Sequence, residues 1–152
     1  MKMRKTSVLA VAVLLSATAF SQTNFTGTWA LKSKDYIEGP KYGNALNEEI
    51  TVKQGADSIS TGKVTVAMSG KPTTTKSVET NRKMVKTIAW SADKKVATFT
   101  TAIYAEGSEN DVELTRVDTW TLSPDGKQLT IQRKSIETKS ENWEVKGTYE
   151  KK

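Results

Sequence analysis

The chain has 152 residues, with 23 Lys and Arg against 17 Asp and Glu, and a formal net charge of +6. It contains no cysteine and no histidine, which excludes disulfides, thiolate nucleophiles and sulfur metal sites, and removes the commonest general base and metal ligand. The excess charge is mild, and no basic run is interleaved with aromatic residues. We therefore expect no nucleic-acid binding.

The first 21 residues are predicted to be a secretory signal peptide. Three cations precede an apolar stretch over residues 8–15, and Ala19 and Ser21 place small side chains before a cleavage site at Gln22. The stretch is too short to span a bilayer, and no second one follows. We expect residues 22–152 to form one exported domain, periplasmic or extracellular and of bacterial type, with a net charge of about +3 once the three cations are removed from the 23.

Alternating apolar and polar residues, abundant threonine and the lack of helical stretches after residue 21 predict an all-β fold. A sharp turn, Ser-Pro-Asp-Gly at residues 123–126, is predicted to close a hairpin. Residues 72–83 are polar and are interpreted as a mobile hairpin tip, whereas residues 33–47 are interpreted as either a short helix or a lid. The predicted strands are residues 25–31, 50–53, 64–68, 84–90, 95–105, 112–122, 128–138 and 143–150.

Short strands joined by turns, with no room for crossover helices, pair antiparallel with their neighbours in sequence. A sheet of that many strands curls or closes, because closure removes its exposed edges. The pattern therefore predicts an antiparallel up-and-down β-barrel of about eight to ten strands.

Three segments resemble lipocalin-like proteins. Residues 24–29 (Asn-Phe-Thr-Gly-Thr-Trp) are similar to the opening of that family, in which a G-x-W motif starts the first barrel strand. Residues 120–131 resemble the late hairpin of small exported bacterial lipocalin-like proteins, and residues 147–151 resemble their closing strand. The resemblance implies a calycin-type barrel. The T-D-Y turn of larger lipocalins is absent, so avidin-like and fatty-acid-binding-like barrels remain alternatives.

The same resemblance implies roles for three residues at the barrel floor. Gly27 lets the backbone bend or be covered closely, and Trp29 plugs the floor with a large ring. In lipocalins an Arg from a late strand packs over this Trp, and Arg133 is the nearest match. The implied contact is a cation–π cap, and the alternative is a core Trp29 with a solvent-facing Arg133.

The best candidate for a ligand-contacting face lies on residues 112–122. Arg116, Asp118 and Trp120 share one face by the two-residue period. If this face points inward, it offers an aromatic wall and a cation that could orient a ligand; if it points outward, Arg116 and Asp118 form a surface ion pair of little value. Ordinary core filling is the alternative for the aromatic candidates. The candidate ligand-contacting residues are Trp90, Tyr104, Arg116, Trp120 and Trp143.

The adjacent acids Glu48 and Glu49 would face opposite sides of a strand, and the sequence shows no nucleophile motif, phosphate loop or calcium loop. We therefore expect no enzymatic activity, no metal and no cofactor. We expect a monomer that binds a small apolar or amphipathic molecule in the barrel lumen, with burial of apolar surface contributing roughly 25 cal/mol per Å². The alternative is a filled barrel that acts through its outer surface, as an inhibitor, adhesion or envelope-assembly module. The volume of the lumen distinguishes the two.

Overall fold

The computed structural model describes residues 21–152. The predicted signal peptide, apart from its last residue, lies outside the described residues. The described chain forms one sheet of ten strands and contains no helix. The strands are β1 Gly27–Glu38, β2 Glu49–Gln54, β3 Ser58–Thr61, β4 Val64–Ala67, β5 Thr73–Lys76, β6 Lys83–Trp90, β7 Val96–Tyr104, β8 Val112–Leu122, β9 Gln128–Glu137 and β10 Trp143–Lys151.

The sheet curls into a nearly closed barrel. All paired strands are antiparallel, neighbours in sequence are neighbours in the sheet, and β1 pairs with β10. The exception is β4 and β5, the two ends of the sheet, which lie side by side with no hydrogen-bond ladder between them among the described residues. One bond crosses this seam, from the Ala67 amide to Thr73 Oγ1 at 3.3 Å. The predicted up-and-down antiparallel barrel is confirmed.

Two short strands and one long one differ from the predicted elements. β3 (Ser-Ile-Ser-Thr) contains one apolar side chain and β5 (Thr-Thr-Thr-Lys) contains none, so neither shows alternation. Residues 72–83 contain β5 and the turn that leads to β6. β1 continues to Glu38, beyond its predicted end at residue 31. A register shift between Leu31 and Ser33 interrupts its alternation, as a β-bulge does.

The barrel has two different ends. We call the end that carries the start of β1 and the turns after β2, β4, β6 and β8 the floor, and the opposite end the mouth. The predicted 123–126 hairpin turn lies at the floor: the Gly126 amide donates to the Ser123 carbonyl at 2.9 Å, and Gly126 has φ +71°. Hydrogen bonds from Ser123 Oγ and the Lys127 amide lower the pKa of Asp125. This hairpin is confirmed.

Aromatic side chains pack the floor. Phe25 stacks on Trp90 with ring centroids 5.8 Å apart, and its ring meets Trp120 edge to face at 5.6 Å. Phe99 lies 4.8 Å from Trp120. The indole nitrogen of Trp29 donates to the Phe25 carbonyl at 2.9 Å, so the polar atom of this buried ring is satisfied. This cluster closes the barrel at the floor.

The segment after β1 folds back into the mouth. Residues 42–47, which we call the plug, bury Ala45 and Leu46 almost completely. Arg133 Nη1 donates to the Ala45 carbonyl at 2.9 Å, and the Tyr149 hydroxyl donates to the Asn47 carbonyl at 3.0 Å. This segment is an inserted loop, so of the two interpretations of residues 33–47 the short helix is wrong.

Candidate functional site

The plug divides the barrel interior into two spaces. Below it lies an inner cavity of about 60 Å³, whose walls include Asn47, Lys86, Asp118, Trp120 and Arg133. Above it a mouth cleft of about 540 Å³ opens to solvent. The mouth cleft is lined chiefly by Tyr42, Asn44, Leu114, Arg116, Glu137 and Trp143.

An aromatic and cationic wall forms one side of the mouth cleft. The rings of Tyr42 and Trp143 meet edge to face with centroids 5.7 Å apart. The guanidinium carbon of Arg116 lies 5.9 Å from the centroid of the Trp143 ring, within the range of a cation–π contact. Because Arg116 comes from β8 and Trp143 from β10, this wall spans three neighbouring strands.

Hydrogen bonds fix the orientation of Trp143. Its indole nitrogen donates to Glu137 Oε1 at 3.2 Å, and Ser135 Oγ donates to the same oxygen at 2.6 Å. The Glu137 amide in turn donates to Asn142 Oδ1 at 2.8 Å. The ring is thus held in place before any ligand arrives, which reduces the entropic cost of binding.

Arg116 keeps an unused donor. Its Nε is buried and has no hydrogen-bond partner among residues 21–152. Burial lowers the pKa of Arg116, Arg133 lowers it further, and Asp118 and Glu137 oppose the shift. A buried donor without a partner is costly, whereas the terminal guanidinium nitrogens of Arg116 are not among the buried atoms and are the donors open to a ligand in the cleft.

Arg133 does not cap the Trp29 ring, and the predicted cap is wrong. Arg133 instead makes two hydrogen bonds to Asp118, at 2.7 and 2.6 Å, and Lys151 Nζ lies 5.5 Å from the Trp29 ring centroid. The register explains the difference. Trp29 lies beside Lys151 and Arg133 beside Val145, six residues apart on β10 and therefore about 20 Å apart along the strand.

Lys86 is an interior cation that the sequence analysis missed. It lines the inner cavity from β6 and has neither a side-chain hydrogen bond nor a carboxylate within 4.0 Å in the described part of the chain. Burial lowers its pKa, Asp118 partly opposes this, and Arg133 and Arg116 lower it further. The two-residue period from Ile88 could have revealed its inward position.

The predicted ligand-contacting residues divide into three groups. Arg116 and Trp143 meet in the mouth cleft. Trp90 and Trp120 belong to the floor cluster, as core filling predicts, although Trp120 also borders the inner cavity. Tyr104 lies outside the lumen, because it alternates with the inward-facing Ile103. Its predicted lumen position is therefore wrong. Lys83 Nζ lies 4.5 Å from the centroid of the Tyr104 ring.

Within residues 21–152, no helix is long and apolar enough to cross a membrane, and no group of three or more metal-ligating side chains could hold a metal ion. No family model matches the chain, and no curated protein or solved structure is significantly similar to it.

Proposed function

We propose that this is an exported, monomeric, lipocalin-like protein that binds a small amphipathic molecule in its mouth cleft. The observation that carries the proposal is the cleft itself. Its volume of about 540 Å³ lies in the range of small-molecule sites. An aromatic wall and a few convergent polar groups, Arg116 above all, are what such sites use for affinity and orientation.

Binding follows from the arrangement of the wall. The apolar part of the ligand packs on Trp143, Tyr42 and Leu114, and burial of its surface contributes roughly 25 cal/mol per Å² before the entropic costs of association. A polar atom of the ligand accepts a hydrogen bond from Arg116. Because Glu137 already holds the Trp143 ring, little order has to be created on binding.

The proposed ligand lies above the plug rather than deep in the lumen. The inner cavity, at about 60 Å³, is several times smaller than a small-molecule site, and its upper wall includes Asn47 of the plug. The strand pattern favours a ligand in the lumen, because nothing in that pattern indicates that residues 42–47 enter the barrel.

A neutral fluorescent probe tests the proposal. We expect N-phenyl-1-naphthylamine to bind the wild-type protein with an increase in fluorescence, and Trp143→Ala to weaken its affinity about tenfold or more, because the substitution removes the main apolar wall. Tyr104→Ala, an aromatic truncation outside the lumen, serves as the matched control. Circular dichroism of each variant verifies that it is folded.

Two outcomes would contradict the proposal. One is the absence of probe binding by the wild-type protein. The other is equal affinity in wild type and in a folded Trp143→Ala variant.

A filled barrel that binds another protein is the second candidate. The described large apolar side chains that are most exposed all lie at the mouth end: Ile37, Tyr42, Val78 and Ile136. Such side chains mark interaction surfaces when they are contiguous. Native mass spectrometry of the protein from its own source separates the candidates: a retained small molecule supports the mouth cleft, whereas a retained protein supports this alternative.

A further inference from the structure

The inner cavity carries an excess of positive charge. Lys86 and Arg133 supply two cations to its walls, and Asp118 supplies the one carboxylate among its lining residues. Both carboxylate oxygens of Asp118 already accept hydrogen bonds from Arg133. Lys86 therefore has no direct ion-pair partner of its own in the described part of the chain.

Withdrawing an ammonium group from water without a partner is costly. Lys86 makes no side-chain hydrogen bond and has no carboxylate within 4.0 Å among the described residues. Burial, together with its cationic neighbours Arg133 and Arg116, lowers the pKa of Lys86. Two arrangements remove the cost: loss of the proton, or uptake of a counter-ion.

The charged groups that line the cavity favour a counter-ion. The only carboxylate among them, Asp118, already accepts hydrogen bonds from Arg133 at both of its oxygens. Lys86 is therefore a cavity-lining donor without an acceptor of its own in residues 21–152. A cavity with such a donor is suited to a group that only accepts hydrogen bonds.

The cavity has the size for such a group. Its volume of about 60 Å³ exceeds the roughly 10–15 Å³ that one water-sized group requires. Asn47 and Thr61 add an amide and a hydroxyl to its walls, while Ile59 and Phe99 add apolar surface. A single negative charge would balance the local excess, whereas a dianion would reverse it.

We infer that the inner cavity binds a small monovalent anion, a halide or a short carboxylate such as formate, with Lys86 as its principal partner. The anion lies between Asn47 of the plug and Trp120 of the floor cluster, so it stabilises the closed barrel. This site is separate from the mouth cleft and does not depend on the proposed function.

Thermal unfolding of the mature protein in bromide and in formate tests the inference. Sodium gluconate is added to keep the ionic strength constant, and it is chosen because gluconate is too large for the cavity. Above the dissociation constant we expect Tm to rise by about 5 °C for each tenfold increase in anion concentration. Lys86→Met should lose this dependence, and Lys146→Met, which removes an exposed cation of β10, should retain it.

Comparing bromide with formate shows which kind of monovalent anion the inner cavity binds. A response to bromide indicates a halide site, and a response to formate alone indicates a short-carboxylate site; either supports the inference. Equal slopes in wild type and Lys86→Met, or no slope with either anion, would overturn it.

Diffraction from wild-type crystals grown in bromide gives a second readout that needs no variant. We expect an anomalous peak beside Lys86 and Asn47. Water alone at this position, in crystals that contain bromide elsewhere, would overturn a halide site even if Lys86→Met failed to fold.

Discussion

At the scale of single residues, polar side chains hold the plug in the barrel. Arg133 donates both to Asp118 and to the Ala45 carbonyl, so one guanidinium joins β8, β9 and the plug. Tyr149 donates its hydroxyl hydrogen to the Asn47 carbonyl. Each anchor uses a main-chain carbonyl of the plug, so the contact depends on the path of the loop more than on its side chains.

The Tyr149 anchor makes stability depend on pH. Burial raises the pKa of Tyr149 to about 12 from 10.0, against the opposing effect of Arg133. Since the folded pKa lies above the unfolded one, the contribution of the phenol is complete below pH 10 and is lost as the pH rises from 10 towards about 12. We expect the stability advantage of wild type over Tyr149→Phe in urea unfolding to shrink across this interval.

Tyr104→Phe, on the outer face, provides the comparison for that experiment. A constant difference between wild type and Tyr149→Phe from pH 8 to 12 would mean that Tyr149 titrates alike in the folded and unfolded chains.

At the scale of elements, the plug fits because β10 has no side chain at Gly147. A Cβ atom there would lie 2.5 Å from Leu46 Cδ1 and 3.1 Å from Leu31 Cδ1. We expect Gly147→Ala to lower the free energy of unfolding by about 1–3 kcal/mol, as overpacking does. Urea unfolding measures this difference.

A double-mutant cycle with Leu46→Ala identifies the cause. Leu46→Ala alone should cost about 2–5 kcal/mol, but the combined variant should cost less than the sum, because the smaller side chain makes room for the new methyl group. Additive costs would mean that Leu46 does not occupy the space above Gly147.

The sequence predicts the long strands better than it predicts the short strands, the cross-strand contacts and the plug. Residues 112–122 coincide with β8 because eleven residues of alternation outweigh local irregularities. β3, in contrast, has one apolar side chain among its four residues and therefore shows no period. The pairing of Arg116 with Trp143 and the separation of Arg133 from Trp29 depend on register across β9 and β10. The insertion of the plug depends on tertiary contacts, so strand patterns could not reveal where the barrel interior is filled.

At the scale of the whole molecule, the barrel is polarised. Aromatic packing fills the floor, charged groups surround the inner cavity, and the mouth cleft opens beyond the plug. The sheet is also uneven around its circumference, because nine strand pairs have ladders and the seam between β4 and β5 has none in the described chain. Hydrogen exchange should report this unevenness.

We expect amide hydrogens on the seam-facing sides of β4 and β5, other than that of Ala67, which donates to Thr73 Oγ1, to exchange faster than those of β3. β3 is equally short but is paired on both sides, so it controls for strand length. Amides without ladder bonds exchange by small local openings, and exchange followed by NMR resolves them individually. Equal protection of β3 and β4 would indicate that the seam is closed in solution.

The position of the seam has a further consequence for the space beneath the plug. Val66 of β4 and Lys86 of β6, which stand on opposite sides of the seam, both border that space. If β4 and β5 part slightly, a solute the size of a water molecule can pass sideways through the wall while every ladder stays intact. Exchange of a small ion with bulk solvent would then be fast and would leave the loop across the mouth undisturbed.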